Sequence, residues 1–139
     1  MKECYNQEYF EKSASYVREK IDYQPEIAII LGSALGTLAE DISHRTEIPY
    51  EEIPNFLVST VKSHAGKLIL GELCGKKVVC MSGRFHYYEG YDYEQLVAPV
   101  RHFKQLGVKT MNLTNAAGAI NTGYRPGDLM IIKDHINLP

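Results

Sequence analysis

Lys77-Val78-Val79-Cys80-Met81-Ser82-Gly83-Arg84-Phe85-His86-Tyr87-Tyr88-Glu89-Gly90-Tyr91 is the stretch from which the rest of this 139-residue chain can be read. Its first five residues form an apolar run that reads as a buried strand. Gly83 breaks the strand. Arg84 and His86 stand two apart, so in extended chain both project to one side. A guanidinium fork and an imidazole on one side of a strand end make an oxyanion receptor, because Arg binds phosphate oxygens bidentately and His adds a donor. Tyr87, Tyr88 and Tyr91 supply flat walls with hydroxyl tips. On these residues alone, a polar strand end with aromatic packing is an equal reading.

Upstream, Leu68 to Leu73 is a second apolar run, joined to the first through Cys74-Gly75-Lys76, so the two read as a hairpin. The polar turn Lys62 to Lys67 before it carries His64, either a solvated turn histidine or an anion ligand. Leu57 to Val61 reads as a short alternating strand. Glu47 to Asn55, with Pro49 and Pro54, reads as loop or sheet edge. Glu26 to Leu31 is a continuous apolar run of the kind buried on both faces in a central strand. It feeds Gly32-Ser33-Ala34-Leu35-Gly36, then a short helix over Thr37 to Ile42. A strand, a Gly/Ser turn and a helix start suit an anion, with Ser33 adding a hydroxyl; a tight turn with a Ser N-cap is the alternative. Residues 6–21 have the spacing of an amphipathic helix, with Tyr9, Ala14, Val17 and Ile21 as its apolar side.

Downstream, Asp92 to Leu106 reads as the clearest helix, with Asp92 as N-cap, Gly107 past its end and an apolar stripe of Leu96, Val97, Val100, Phe103 and Leu106. Pro99 lies inside it, and His102 beside the stripe reads as structural. Val108 to Leu113 is a further strand, running into Thr114-Asn115-Ala116-Ala117-Gly118-Ala119. Small residues there permit a ligand, or simply tight packing. Asn121 to Asp128 is turn-rich, and Leu129 to Ile132 reads as a last strand. Apolar strands alternating with helices imply an α/β fold: a mixed, mostly parallel central sheet flanked by helices, as a single domain over 1–139.

Composition excludes several classes. With 23% charged residues, a net charge of −2 and no basic block, nothing points to nucleic acid or an anionic membrane surface. No run approaches the roughly 20 apolar residues of a membrane span. Three cysteines without a C-x-x-C, and an N-terminus unlike a signal peptide, lead us to expect a cytoplasmic protein. The five histidines, His44, His64, His86, His102 and His135, show no metal-ligand spacing, so no metal or other cofactor is expected.

Six ordered stretches together closely resemble the trimeric, low-molecular-mass purine nucleoside phosphorylases. They are Ile30 to Gly36, Ile53 to Phe56, Ser63 to Gly71, Gly83 to Tyr91, Leu113 to Asn121 and Pro126 to Leu138. The resemblance implies a nucleoside phosphorylase-like fold. It implies phosphate ligands at Ser33, His64, Arg84, His86 and the Ala116 backbone amide. It places Tyr88 and His86 near the ribose and Ala116, Ala117 and Gly118 beside the base. The implied reaction is reversible phosphorolysis of inosine- or guanosine-type purine (deoxy)ribonucleosides to free purine and (deoxy)ribose 1-phosphate, a step of purine salvage. The implied partners are nucleoside and phosphate, and the implied assembly is a homotrimer of the full-length protein. Methylthioadenosine phosphorylases are the second family considered, and a non-catalytic phosphate-binding or assembly module is the alternative of another class. Family members are about twice this length, so the chain matches an N-terminal half. The Glu and Asn that hold the purine fall in the other half, and the 139-residue chain alone is expected to lack full activity.

Overall fold

The computed structural model describes residues 5–32, 34–58, 66–136 and 138. Five strands form one sheet: β1 (Ile27–Ile30), β2 (Ser43–Pro49), β3 (Lys67–Leu73), β4 (Lys76–Ser82) and β5 (Thr110–Leu113), in the order β2-β3-β4-β1-β5. β3 and β4 are the expected hairpin, antiparallel from Lys67↔Ser82 to Leu73↔Lys76. β1 runs parallel to both β4 and β5. The sheet is therefore mixed, with its parallel part at β4-β1-β5.

The apolar runs have no polar alternation because both faces of the sheet are covered. Leu68, Leu70, Val79, Met81 and Ala28 turn to one face. There they meet Ala14 and Val17 of helix α1 (Gln7–Arg18), Phe103 of helix α2 (Tyr93–Gln105), and Tyr50 and Ile53. Ile69, Val78, Cys80 and Ile29 turn to the other face, against Ala39 and Ile42. Burying each Val, Leu, Ile, Phe or Met among them fully contributes roughly 1.5–3 kcal/mol. α1 starts at Asn6, whose side chain accepts from the Tyr9 N–H. α2 starts at the expected Asp92, in a reciprocal capping box with Gln95. Gly107 beyond α2 has φ +86°, the left-handed conformation that ends a helix.

Several expectations are corrected. The helix after β1 is a six-residue 3₁₀ turn (Gly36–Asp41), with Leu35 at its N-cap and no side-chain cap. It is too short to bring an appreciable dipole to an anion, so backbone geometry alone remains from that reading. The loop or edge expected at Glu47 to Asn55 is found as such: Glu47 to Pro49 close edge strand β2, which pairs antiparallel to β3 with an irregularity between Ser43 and Thr46, and a 3₁₀ turn (Tyr50–Glu52) follows. Leu57 and Val58 are not in a strand; the rest of the strand expected to Val61 lies outside the described residues. Leu129 to Ile132 forms no strand, and Leu129 and Ile131 are each 95% exposed. A strand exists only against a neighbour, and among the described residues nothing pairs with the outer edge of β5.

Candidate active site

The parallel part of the sheet positions the site. Ile30 pairs with Met81 on one side and Leu113 on the other, so β1, β4 and β5 end level, at one edge of the sheet. The chains leaving that edge are those carrying the expected ligands: Gly32 onward, Gly83 to Glu89, and Thr114 to Gly118. Ligands of open α/β sheets gather at this carboxyl edge.

The first and third chains touch. The Gly32 N–H donates to Thr114 Oγ1 at 2.9 Å, and that hydroxyl donates to the Ile30 carbonyl at 3.0 Å. A Cβ on Gly32 would lie 2.4 Å from the Thr114 carbonyl oxygen and 2.7 Å from Asn115 Cα. Gly32 thus lets two strand ends approach to backbone contact. Beyond it, Ala34 has φ +67°.

On the second chain, Phe85 is buried at the core end, while Arg84 and His86 on either side of it are half-buried. The structure brings Arg84 and His86 side by side: Arg84 Nε donates to His86 Nε2 at 3.2 Å. Glu89, its side chain 1% exposed, accepts from the His86 N–H at 2.8 Å and lies 3.2 Å from His86 Nδ1. This closes a capping box around the 3₁₀ turn Tyr87–Glu89. The imidazole is thus held between the Arg84 guanidinium on its Nε2 side and the Glu89 carboxyl on its Nδ1 side. Glu89 fixes the orientation of the ring from behind. Among the described residues no carboxylate lies in ion-pair range of Arg84. A guanidinium held beside an imidazole has donor chemistry of the kind an oxyanion takes.

Tyr88 stacks on the His86 ring, with centroids 4.7 Å apart and planes 15° apart, and is 74% exposed, offering a flat open wall. Ala116, Ala117 and Gly118 follow Thr114 along the same edge and are exposed. Ser33 and His64, both expected as phosphate ligands, lie outside the described residues. Among the described residues no group of three His, Cys, Asp or Glu side chains could hold a metal ion, and no helix is long and apolar enough to cross a membrane.

His102 is a core histidine, 3% exposed, edge-on to Phe10 at 4.8 Å and tilted on Phe56 at 4.9 Å. Its Nδ1 has no hydrogen-bond partner among the described residues. Burial pushes its pKa down to about 4; a hydrogen bond to the backbone of Asn55 opposes the shift, and Arg101 adds to it.

Sequence reasoning missed three supports: Thr114, which braces β1 against β5; Glu89, which orients His86; and Tyr50, whose hydroxyl donates to the Gly83 carbonyl at 2.6 Å. Glu89 had a readable signal, standing three residues after His86 as the acidic member of a capping box does. Histidine is not a usual N-cap, which hides the pattern.

The chain is similar to proteins of one family. A family model described as "Phosphorylase superfamily" matches residues 26–139. The "Purine nucleoside phosphorylase 1" of Geobacillus stearothermophilus is 53% identical over 132 residues, covering 95% of this chain and 48% of that protein. The mouse "Purine nucleoside phosphorylase" is 45% identical over 139 residues, covering 100% of this chain and 48% of that protein. Among solved structures, a Schistosoma mansoni purine nucleoside phosphorylase in complex with inosine superposes with a TM-score of 0.79 at 45% identity, covering 88% of this chain and 43% of that one. The chain spans about half the length of the curated relatives it matches.

Proposed function

Because the chain belongs to the phosphorylase superfamily, we propose that it carries the phosphate half, and part of the ribose half, of a purine nucleoside phosphorylase site. The observation that carries the reading is the level carboxyl edge of β4-β1-β5, with Arg84, His86 and the Thr114–Ala116 backbone all leaving it. Relatives named for the same activity at 45–53% identity support it, and nothing favours the methylthioadenosine alternative.

In the proposed reaction, phosphate sits between Arg84 and His86, with the Ala116 N–H and the Ser33 and His64 side chains as its other ligands. Arg84 turns its fork from His86 Nε2 to phosphate oxygens. His86, with Glu89 behind it, then offers Nε2–H. The sugar lies against Tyr88, and the base against Ala116 to Gly118. The glycosidic bond loosens toward an oxocarbenium-like sugar. The bound hydrogen phosphate stabilises the developing cation and attacks the anomeric carbon from the face opposite the base; the C–N bond breaks, its electron pair leaves with the purine, and the proton the phosphate gives up ends, in net, on that purine. Holding the nucleophile in line and replacing its water shell with fixed donors lowers the barrier. The step needs no protein nucleophile and no cofactor. A 6-oxopurine substrate, a homotrimer of the whole protein and a cytoplasmic setting complete the proposal.

The test is inosine phosphorolysis, read as hypoxanthine release with and without phosphate. One sample is this chain. The other is this chain fused to the portion of the Geobacillus relative that follows the matched region. Phosphate-dependent release by the fusion, with a raised phosphate requirement after Arg84→Ala, supports the reading. A folded fusion that releases no base overturns it. Phosphate binding without turnover by either sample would favour a non-catalytic phosphate-binding module.

A further inference from the structure

Tyr50 lies far in sequence from the Arg84/His86 turn, yet reaches it. It follows β2 directly, is 1% exposed, and its backbone N–H donates to the Gly66 carbonyl at 2.9 Å. Its ring packs against Phe56 at 5.0 Å and Phe85 at 5.5 Å. Its hydroxyl donates to the Gly83 carbonyl at 2.6 Å, across 33 residues. The β3–β4 ladder ends at Lys67↔Ser82, so Gly83 is the first residue beyond it. Gly83 has φ +99°, where the strand direction changes. Tyr50 therefore holds two points of one short lever: the Gly83 carbonyl through its hydroxyl and Phe85 through its ring. Arg84 lies between those points, and His86 follows.

We propose that Tyr50 is a positioning residue for anion binding, its hydroxyl on the Gly83 carbonyl fixing where Arg84 and His86 emerge from the sheet edge. The inference rests on reading that turn as the phosphate site. The Gly83 residue is buried, so losing the donor leaves a carbonyl that must move to find water, and Arg84 moves with it. Burial, with Cys80 nearby, holds the phenol well above its ordinary pKa, so the group is a neutral donor throughout the physiological range.

The experiment compares wild type, Tyr50→Phe and Ile53→Val. The last trims another buried residue of the same cluster without touching Gly83. Two readouts are taken: amide hydrogen exchange over residues 83–90, and inorganic phosphate affinity by calorimetry. Tyr50→Phe is expected to speed exchange at Glu89 and Gly90 about tenfold and to weaken phosphate binding about five- to tenfold, the loss of one buried hydrogen bond. Ile53→Val should leave both unchanged. Equal exchange and equal affinity in Tyr50→Phe and wild type would overturn the inference. If wild type does not bind phosphate, the phosphate reading fails, while faster exchange at 83–90 confined to Tyr50→Phe still supports the tether. Should Tyr50→Phe not fold, 3-fluorotyrosine placed at position 50 alone makes the hydroxyl a stronger donor. Slower exchange at 83–90 then supports the inference, and no change overturns it.

Discussion

Replacing Gly32 by alanine tests whether β1 and β5 meet at the site as closely as described. The added Cβ would lie 2.4 Å from the Thr114 carbonyl oxygen, 2.7 Å from Asn115 Cα and 2.9 Å from the Thr114 carbonyl carbon, whereas real Cβ atoms essentially never come within 3.0 Å. All three obstacles are backbone, so no side-chain rotation relieves them. One strand end must retreat by at least 0.6 Å, the difference between 3.0 and 2.4 Å. Overpacking of this kind costs about 1–3 kcal/mol. Stretching the 2.9 Å bond from the Gly32 N–H to Thr114 Oγ1 adds about 1 kcal/mol. The expected loss is therefore about 2–4 kcal/mol, or roughly 6–12 °C in melting temperature for a domain of this size. Urea unfolding followed by circular dichroism measures it. Gly36→Ala is the control, because its Cβ meets nothing within 4 Å, and it should change stability by less than about 1 kcal/mol. A Gly32→Ala chain as stable as wild type would refute the close approach, and with it the convergence of the first and third site segments.

Other predictions follow from the same contacts. Glu89→Gln keeps an acceptor for the His86 N–H but removes the charge behind the imidazole. It should leave the melting temperature within a few degrees and weaken phosphate binding roughly tenfold by calorimetry, the scale of one charge-assisted hydrogen bond; unchanged affinity would contradict the role given to Glu89. His102 should make the fold acid-sensitive. Its folded pKa of about 4 lies below its ordinary 6.5, so between these values the unfolded chain binds a proton that the native chain refuses. Stability therefore falls as pH drops from about 6.5 to 4, by roughly 3 kcal/mol in all. His102→Phe, placed among Tyr9, Phe10 and Phe56 with Arg101 and the Asn55 backbone alongside, should flatten that limb of a stability–pH curve. An identical limb would rule His102 out as its source.

Much of the fold was readable because its strands are long apolar runs with decisive turns. Leu68 to Gly71 and Val78 to Met81 are buried as apolar runs require, and Cys74-Gly75-Lys76 closes their strands into a hairpin. α2 declared itself through Asp92 and Gly107, but its expected stripe held only in part: Phe103 and Leu106 are buried, whereas Val97 and Val100 are exposed and Ala98, Pro99 and His102 complete the buried face. β2 was less legible, because Ser-His-Arg-Thr-Glu at an edge strand carries no apolar period and its only buried residue is Ile48. Leu129 to Ile132 misled for the opposite reason: its residues favour a strand, but strand formation depends on a neighbour that local sequence does not specify. At the site, Arg84 and His86 were visible as a same-side pair, since period-two geometry is local. The Tyr50 hydroxyl and the Thr114 brace were not, because contacts spanning 33 and 82 residues leave no local periodicity.

The central claim is that the ends of β1, β4 and β5 hold one inorganic oxyanion. Titrating ¹⁵N-labelled protein with phosphate while following backbone amide shifts tests it most directly. The account predicts saturable shifts at Gly32, Arg84, His86 and Ala116 that share one dissociation constant and disappear in Arg84→Ala. Shifts that do not saturate, or that cluster elsewhere, such as along the Glu8–Glu19 side of α1, would contradict it.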